Sequence, residues 1–230
     1  MHLYEAIRGE ILEGRLVAGA PLSQLALANR FSVSRAPIRE ALRLLQTERL
    51  VDAAHNRRMR VATFSPEDFE QLYTLRLLAE PTAVRLTVPL LVSDDLALLE
   101  SAHGQLTPPK GKIAPPPFGP HRRFHALLCS GAGTRLRRHI SDLWDYSERY
   151  MRKLPPDPLI LHLGMEDHGA LLAAARRHDA DECGRRTALH VARAGVGRLR
   201  EFYPEYEAAA LSAAIRRTLE VSVDEVLQAS

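Results

Sequence analysis

Apolar positions recur every three to four residues along nearly the whole chain, and strict strand-like alternation is almost absent. The pattern therefore predicts a mainly helical protein. Leu3, Ile7 and Ile11 form one stripe and predict a helix over 3–13, with Gly14 as its C-cap. A Gly-Ala-Pro turn at 19–21 leads to Ser23, an N-cap for a short helix with Leu25, Leu27 and Ala28. Phe31-Ser32-Val33 reads as a tight connector, and Ser34 as the cap of a third helix running from Arg35 to near Leu50. That helix turns Ile38, Ala41, Leu42 and Leu45 inward, and Pro37 falls in its first turn, where a missing N–H costs little. Residues 51–64 are β-compatible at both ends and basic in the middle, which predicts a small hairpin, the only strands expected.

Ser65-Pro66-Glu67-Asp68 is a helix-start signal that opens a second pattern. Helices are expected near 66–79, 81–89, 94–106, 120–130, 134–153, 158–178 and 179–200. The stretch 107–120 contains six prolines and is expected to be a stiff exposed excursion, not helix. Residues 201–230 read as helical again, over Tyr206–Leu219 and Val223–Leu227, with no legible packing. The expected organisation is thus a head over 1–64, a helical body over 65–200 and a helical extension over 201–230.

Composition narrows the classes. At 230 residues the chain suits one large domain or two small ones, and 46% hydrophobic with 26% charged residues excludes a wholly disordered chain. No stretch reaches the roughly 18 uncharged apolar residues of a membrane span. The opening run LYEAIRGEIL is amphipathic and unlike a signal segment, so a cytoplasmic location is expected. Cys129 and Cys183 form neither a disulfide framework nor a CxxC motif, which suits reduced thiols. Charge adds an asymmetry: residues 1–64 hold ten Arg against six acidic residues, whereas 65–230 hold 21 basic against 22 acidic ones. A positive head on a neutral body suits a polyanion partner.

Three short helices followed by a basic hairpin have the outline of a winged helix-turn-helix. Ser34, Arg35, Ala36 and Arg39 open the third helix, with Arg35 and Arg39 four apart and hence on one face, opposite Ile38, Ala41 and Leu42. Arginine matches guanine O6 and N7 with two donors and also grips phosphate. Arg57, Arg58 and Arg60 in the hairpin could follow the adjacent backbone or minor groove. A bland reading leaves all of these as solvated surface arginines. Beyond that reading, PLSQLALANRFSVSRAPIREALRLLQTERLV closely resembles the GntR family of bacterial regulators. Leu22, Leu27, Ala28, Val33, Ser34, Arg35, Pro37, Ile38, Arg39, Glu40, Ala41, Leu42 and Leu45 all follow its signature. The resemblance implies a winged helix-turn-helix whose Arg35 and Arg39 contact double-stranded operator DNA. Two positions depart from it: Arg49 and the wing-tip Arg58 stand where the family usually has Gly.

Histidine is frequent, with ten residues, and its placement carries more than its number. His121 and His125 are i, i+4 on one helix, a spacing that suits two ligands of one metal ion. His168 shares a stripe with Leu171, Leu172 and Ala175. His190 shares one with Thr187, Ala194 and Gly197, small residues that let a neighbouring helix approach. Three helices thus each offer histidine inward, as a bundle-core metal site requires. His139 is the rival ligand, whereas His162 and His178 fall elsewhere. Taken singly, each histidine is more often a satisfied core or surface residue. The body over about 66–200 also resembles the FCD effector domain of FadR-type GntR regulators, through FSPEDFEQLYTLRLLAEPTAVRL, HRRFHALLCSGAG and EDHGALLAAARRHDADECGRRTALH. The resemblance implies an all-helical antiparallel bundle and maps a metal set onto His121, His125, His168 and His190. His121 stands where the family has Asp, so this all-nitrogen set carries one negative charge less. Zn, Ni or Mn are the divalent ions expected.

Arg76 lies on a stripe with Phe69, Leu72, Tyr73 and Ala83, and Glu80 follows four residues on. It reads either as half of a buried helix pair or as the anchor of an effector carboxylate. The resemblance implies a small carboxylate effector. The combined expectation is a ligand-responsive regulator, more readily a repressor, acting as a homodimer on a near-palindromic operator. Two rivals stay open at this level: a metal-dependent hydrolase using the histidines, for which no acid–base motif stands nearby and Glu166 falls off the face of His168, and a regulator whose metal is purely structural.

Overall fold

The computed structural model describes residues 2–53, 59–106 and 115–228. These fall into two compact units that divide between Ser65 and Pro66.

The first unit contains α1 (His2–Leu12), α2 (Gln24–Arg30), α3 (Arg35–Thr47) and three short strands, β1 (Pro21–Leu22), β2 (Val51–Ala53) and β3 (Met59–Val61). Ile7, Ile11, Leu27, Ala28, Ile38, Ala41, Leu42 and Leu45 are buried and form its core, whereas Leu25 is half exposed. Ser23 Oγ accepts from the Ala26 N–H and caps α2. Ser34 stands at the N-cap of α3, yet its side chain makes no capping bond. Arg30 ties α2 to α1 through both Glu10 oxygens, at 2.8 and 2.5 Å. Glu48, just past α3, accepts from Tyr4 and from Arg8 of α1.

The sheet holds one strand more than the hairpin expected from sequence. β1 pairs antiparallel with β3, Pro21 opposite Arg60 and Leu22 opposite Met59, giving the order β1-β3-β2. Two residues are too few to show a period of two, and Pro21 is tolerated because β1 lies at the edge. The hairpin tip at 54–58, with Arg57 and Arg58, lies outside the described residues.

Among the described residues the elements of the second unit are all helical: α4 (Pro66–Thr87), a 3-10 turn at Val88–Leu90, α5 (Ser93–Gly104), α6 (Phe118–Leu128), α7 (Thr134–Lys153), α8 (Pro158–Arg176), α9 (Ala180–Phe202), α10 (Ala209–Leu219) and α11 (Val223–Val226). α9 packs against both α4 and α8. It approaches closely where it lacks side chains: a Cβ on Gly195 would stand 2.9 Å from the Tyr73 ring, and one on Gly197 2.5 Å from Ile160. Val84, Leu99, Phe124, Leu128, Trp144 and Leu171 belong to the principal core.

Three sequence expectations shift here. α4 runs unbroken through Pro81, where two helices were expected. An internal proline costs about 3 kcal/mol, but Leu77, Ala83 and Val84 are buried on both sides of it, so packing carries the helix through it. α6 starts at Phe118, so Pro120 lies in its first turn, where the N–H it lacks has no intrahelical partner anyway. The helix expected from Tyr206 begins at Ala209: the Tyr206 N–H bonds the Tyr203 carbonyl and the Ala209 N–H the Glu207 carbonyl, both at 2.9 Å, which are turn bonds and not helical ones, while the Tyr206 hydroxyl donates to Glu70 at 2.6 Å. The same buried Glu70 accepts from the Leu211 N–H at 3.0 Å, so the C-terminal extension packs on α4 as part of this unit. Among the described residues, no helix is long and apolar enough to cross a membrane.

Candidate functional site

In the first unit, α3 turns Ile38, Ala41, Leu42 and Leu45 into the core, which leaves its opposite face and first turn in solvent. Ser34, Arg35, Ala36 and Arg39 are all exposed there. On β3, Arg60 is exposed between two buried or half-buried neighbours. Glu40, one residue past Arg39, is held by Arg43 at 2.7 Å, and this contact lowers its pKa. Among the described residues no hydrogen bond or ion pair joins Arg35 or Arg39 to a carboxylate, although Arg39 adds to the lowering of Glu40 through space. An exposed helix start carrying uncommitted arginines can meet an anionic duplex with donors for both phosphate and base edges.

In the second unit, α6 supplies His121 and His125, α8 supplies His168 and α9 supplies His190. Their ligand nitrogens all lie within 4.8 Å of one another. His168 Nε2 stands 3.1 Å from the Nε2 atoms of both His121 and His125. The four side chains are buried. Trp144 of α7 closes one side, its ring centroid 5.3 Å from His121 and 4.9 Å from His125. Burial pushes the imidazoles of His121, His125 and His168 well below the usual histidine range; the neighbouring imidazoles push all three further, and Arg76 also pushes His121 and His125. They are neutral at pH 7, the form whose ring nitrogen can donate a lone pair to a metal.

The donor set fits a divalent transition metal. One Nε2 facing two others at 3.1 Å can satisfy only one of them by hydrogen bonding, since a neutral ring offers one proton and one lone pair. A divalent ion could take a lone pair from every ring at once, which hydrogen bonding cannot arrange here. Behind His190, the buried Asp167 carboxylate lies 3.5 Å from Nδ1. Neither Asp167 Oδ2 nor His190 Nδ1 makes a hydrogen bond, so the pair is close but not aligned. A carboxylate there is placed to orient the ring and to supply negative charge that His121 does not.

The cluster opens onto a cavity with about 680 Å³ of empty space, mouth included, lined by His121, His168 and His190, by Arg76, Arg193 and Arg198, and by apolar side chains. Arg76 is 2% exposed and pairs with Glu80 at 2.6 Å while lying over the rings of Trp144 and Tyr73. The helix pair foreseen for it therefore forms, and Arg76 still lines the cavity. Arg193 pairs with Asp167 at 2.5 Å and donates to the Val226 carbonyl of α11. Sequence reasoning missed Asp167, Arg193 and Arg198. The first adjoins His168, and Arg193 follows His190 by three positions, a signal that helix geometry offers. His139 is exposed and takes no part, which removes it as a rival ligand. His162 is exposed and pairs with Glu166 at 3.2 Å, while His178 Nδ1 meets the Val88 carbonyl. Cys129 and Cys183 are free and buried, and burial raises the Cys183 thiol to about 12.

Comparison with known proteins identifies the family and the fold. Residues 1–61 match the family described as bacterial regulatory proteins, gntR family, and residues 71–193, over half the chain, match the FCD domain. The chain is 30% identical over 198 residues to the HTH-type transcriptional regulator BphR of Paraburkholderia xenovorans (strain LB400), covering 82% of this chain and 80% of that one. It is 24% identical over 186 residues to the HTH-type transcriptional repressor GlaR of Escherichia coli (strain K12), covering 76% and 84%. The solved structure of E. coli McbR/YncC shares the fold, with a TM-score of 0.68 at 23% identity over 90% of this chain and 97% of that one. A GntR regulator from Rhodococcus sp. RHA1 does so too, with a TM-score of 0.68 at 20% identity over 87% and 97%. These relatives are regulators and not enzymes, which sets aside the hydrolase reading. The chain belongs to the gntR family of bacterial regulatory proteins, in its FCD-bearing, FadR-type branch, and is a DNA-binding transcriptional regulator.

Proposed function

We propose that the protein is a metal-dependent, ligand-responsive repressor that binds a near-palindromic operator as a homodimer. The observation that carries this reading is the convergence of four buried imidazoles on a cavity lined by arginines, in a chain that also bears a DNA-reading head. His121, His125, His168 and His190 hold the metal. A divalent ion there would supply positive charge for a small organic acid, and the arginines of the wall add to the attraction. Ser34, Arg35, Ala36 and Arg39 read the operator. Arg57, Arg58 and Arg60 hold the backbone beside it. The working organisation is a head over 1–64 and a ligand-binding body over 65–230, with the extension packed into the body. Effector binding between helices shifts their packing and with it the spacing of two heads on two half-sites. A purely structural metal would not require the cavity beside it.

Elemental mass spectrometry on the purified protein tests the metal. About one Zn, Ni or Mn per chain is expected in the wild type, lost in both His125→Ala and His190→Ala. Absence of metal in the wild type after reloading would overturn the site. Operator release by metal-loaded protein, titrated with organic acids in a mobility-shift assay, separates an effector-responsive metal from a structural one.

A further inference from the structure

The cavity wall contains three arginines and no acidic residue. Two of the three are matched by carboxylates just behind the wall, Arg76 by Glu80 and Arg193 by Asp167. Arg198 is not. It is 6% exposed, donating Nε to the Leu154 carbonyl and Nη1 to the Ala194 carbonyl, both at 3.0 Å. Among the described residues no carboxylate pairs with it, and its Nη2 has no partner. The two carbonyls clamp the end of α7 to α9, but a neutral amide could do that as well. A buried guanidinium without a counter-ion is costly, and its charge requires a reason.

The rest of the wall gives the other half of the ligand. Phe118, Met151, Ile160, Leu161 and Met165 face the same space and offer it no side-chain hydrogen bond. We infer that Arg198, and not Arg76, anchors the carboxylate head of an amphiphilic organic acid whose apolar body lies against these side chains. Arg76 is committed to Glu80 at 2.6 Å and stacked on two rings, so it polarises the cavity without being free to turn to a ligand. Arg198 keeps one donor edge open and contributes the unmatched positive charge that a monoanion neutralises. The inference rests on the reading that this cavity takes an organic acid, and it names the residue and the ligand class.

The test uses full-length wild type, Arg198→Gln and Arg198→Lys, each as purified and after chelation. Acetate, hexanoate, benzoate and phenylacetate are compared with their amides by calorimetry and thermal shift. Hexanoate, benzoate or phenylacetate is expected to bind the wild type better than its amide and better than acetate, including after chelation, when no metal can favour the acid. R198Q should lose ~10–100-fold in acid affinity, the value of a hydrogen-bonded charge contact, and should no longer distinguish acid from amide. R198K should keep part of both. Acids that bind R198Q as they bind the wild type overturn the role of Arg198 while leaving the organic-acid reading intact. If R198Q fails to fold, wild-type binding of acid and amide with equal affinity after chelation overturns that role in its place. Acetate binding as well as the larger acids overturns the apolar body. No acid binding the wild type, with or without metal, overturns the organic-acid reading itself and this inference with it.

Discussion

Arg49 closes α3 in the left-handed region, φ +58°, with its N–H on Gln46 and the Leu50 N–H reaching back to Leu45 at 3.0 Å. That bond pattern terminates helices with glycine at this place, because a Cβ there costs about 1–2 kcal/mol. Arg49→Gly should therefore raise stability by about 1 kcal/mol, read as a higher urea midpoint at unchanged slope. Sequence alone marks the departure from glycine, yet only the backbone tells that the chain accepts the strain instead of avoiding the turn. Ser32, φ +54°, ends α2 in the same way. At the DNA-reading end, Arg39→Ala and Arg35→Ala should each weaken operator binding by ~10–100-fold, following about 1–3 kcal/mol per good arginine contact. A residue on phosphate will also lower the slope of log affinity against log salt by about one, whereas a residue on a base edge will relax preference at one position. Mobility shift over a salt series distinguishes them.

At the level of elements, α9 is the piece on which the body depends. Its Gly197 faces Ile160, where a Cβ would meet side-chain carbons at 2.5 Å. Alanine improves helix propensity by about 1 kcal/mol, but overpacking a buried contact costs about 1–3 kcal/mol. Because Ile160 is itself buried, Gly197→Ala should destabilise the body on balance, visible as a lower melting temperature by circular dichroism. The start of α9 gives a pH prediction. Asp179 caps it by accepting from the Glu182 N–H, and Glu182 bridges Arg185 and Arg186. Arg185, and then Arg186, holds the Glu182 carboxyl down at about 2, below its ordinary 4.5. The folded state thus binds this proton less readily than the unfolded chain. Its contribution to stability is complete above about 4.5 and is lost as pH falls towards 2. Glu182→Gln should flatten the acid limb of a stability–pH curve across that window and leave the rest of the curve in place.

At the level of the whole molecule, the proposed metal set of buried histidines would couple folding of the body to metal. A ligand present at a hundred times its dissociation constant stabilises the folded state by about 2.7 kcal/mol. Chelation should accordingly lower the melting transition of the C-terminal unit, and the same treatment should leave His125→Ala unchanged. Calorimetry on wild type and variant, before and after chelator, checks this. The C-terminal extension should share that transition, since Glu70 binds Leu211 and Tyr206 while Arg193 links Asp167 to Val226.

Helical class, the exposed arginine-bearing face of α3 and the four inward histidines were all legible in the sequence, because each is a matter of periodicity along one element. Spacing places His121 beside His125, and a run of apolar neighbours assigns His168 to the interior, before any fold is known. The tertiary structure alone decided what depends on segments distant in the chain: β1 joining β3, α4 continuing through Pro81, the extension docking on α4, and above all which cavity arginine lacks a counter-ion. Glu80 and Asp167 match Arg76 and Arg193, and among the described residues nothing matches Arg198. Local pattern reports which side of a helix faces inward, but charge balance in a cavity is a sum over every element that walls it.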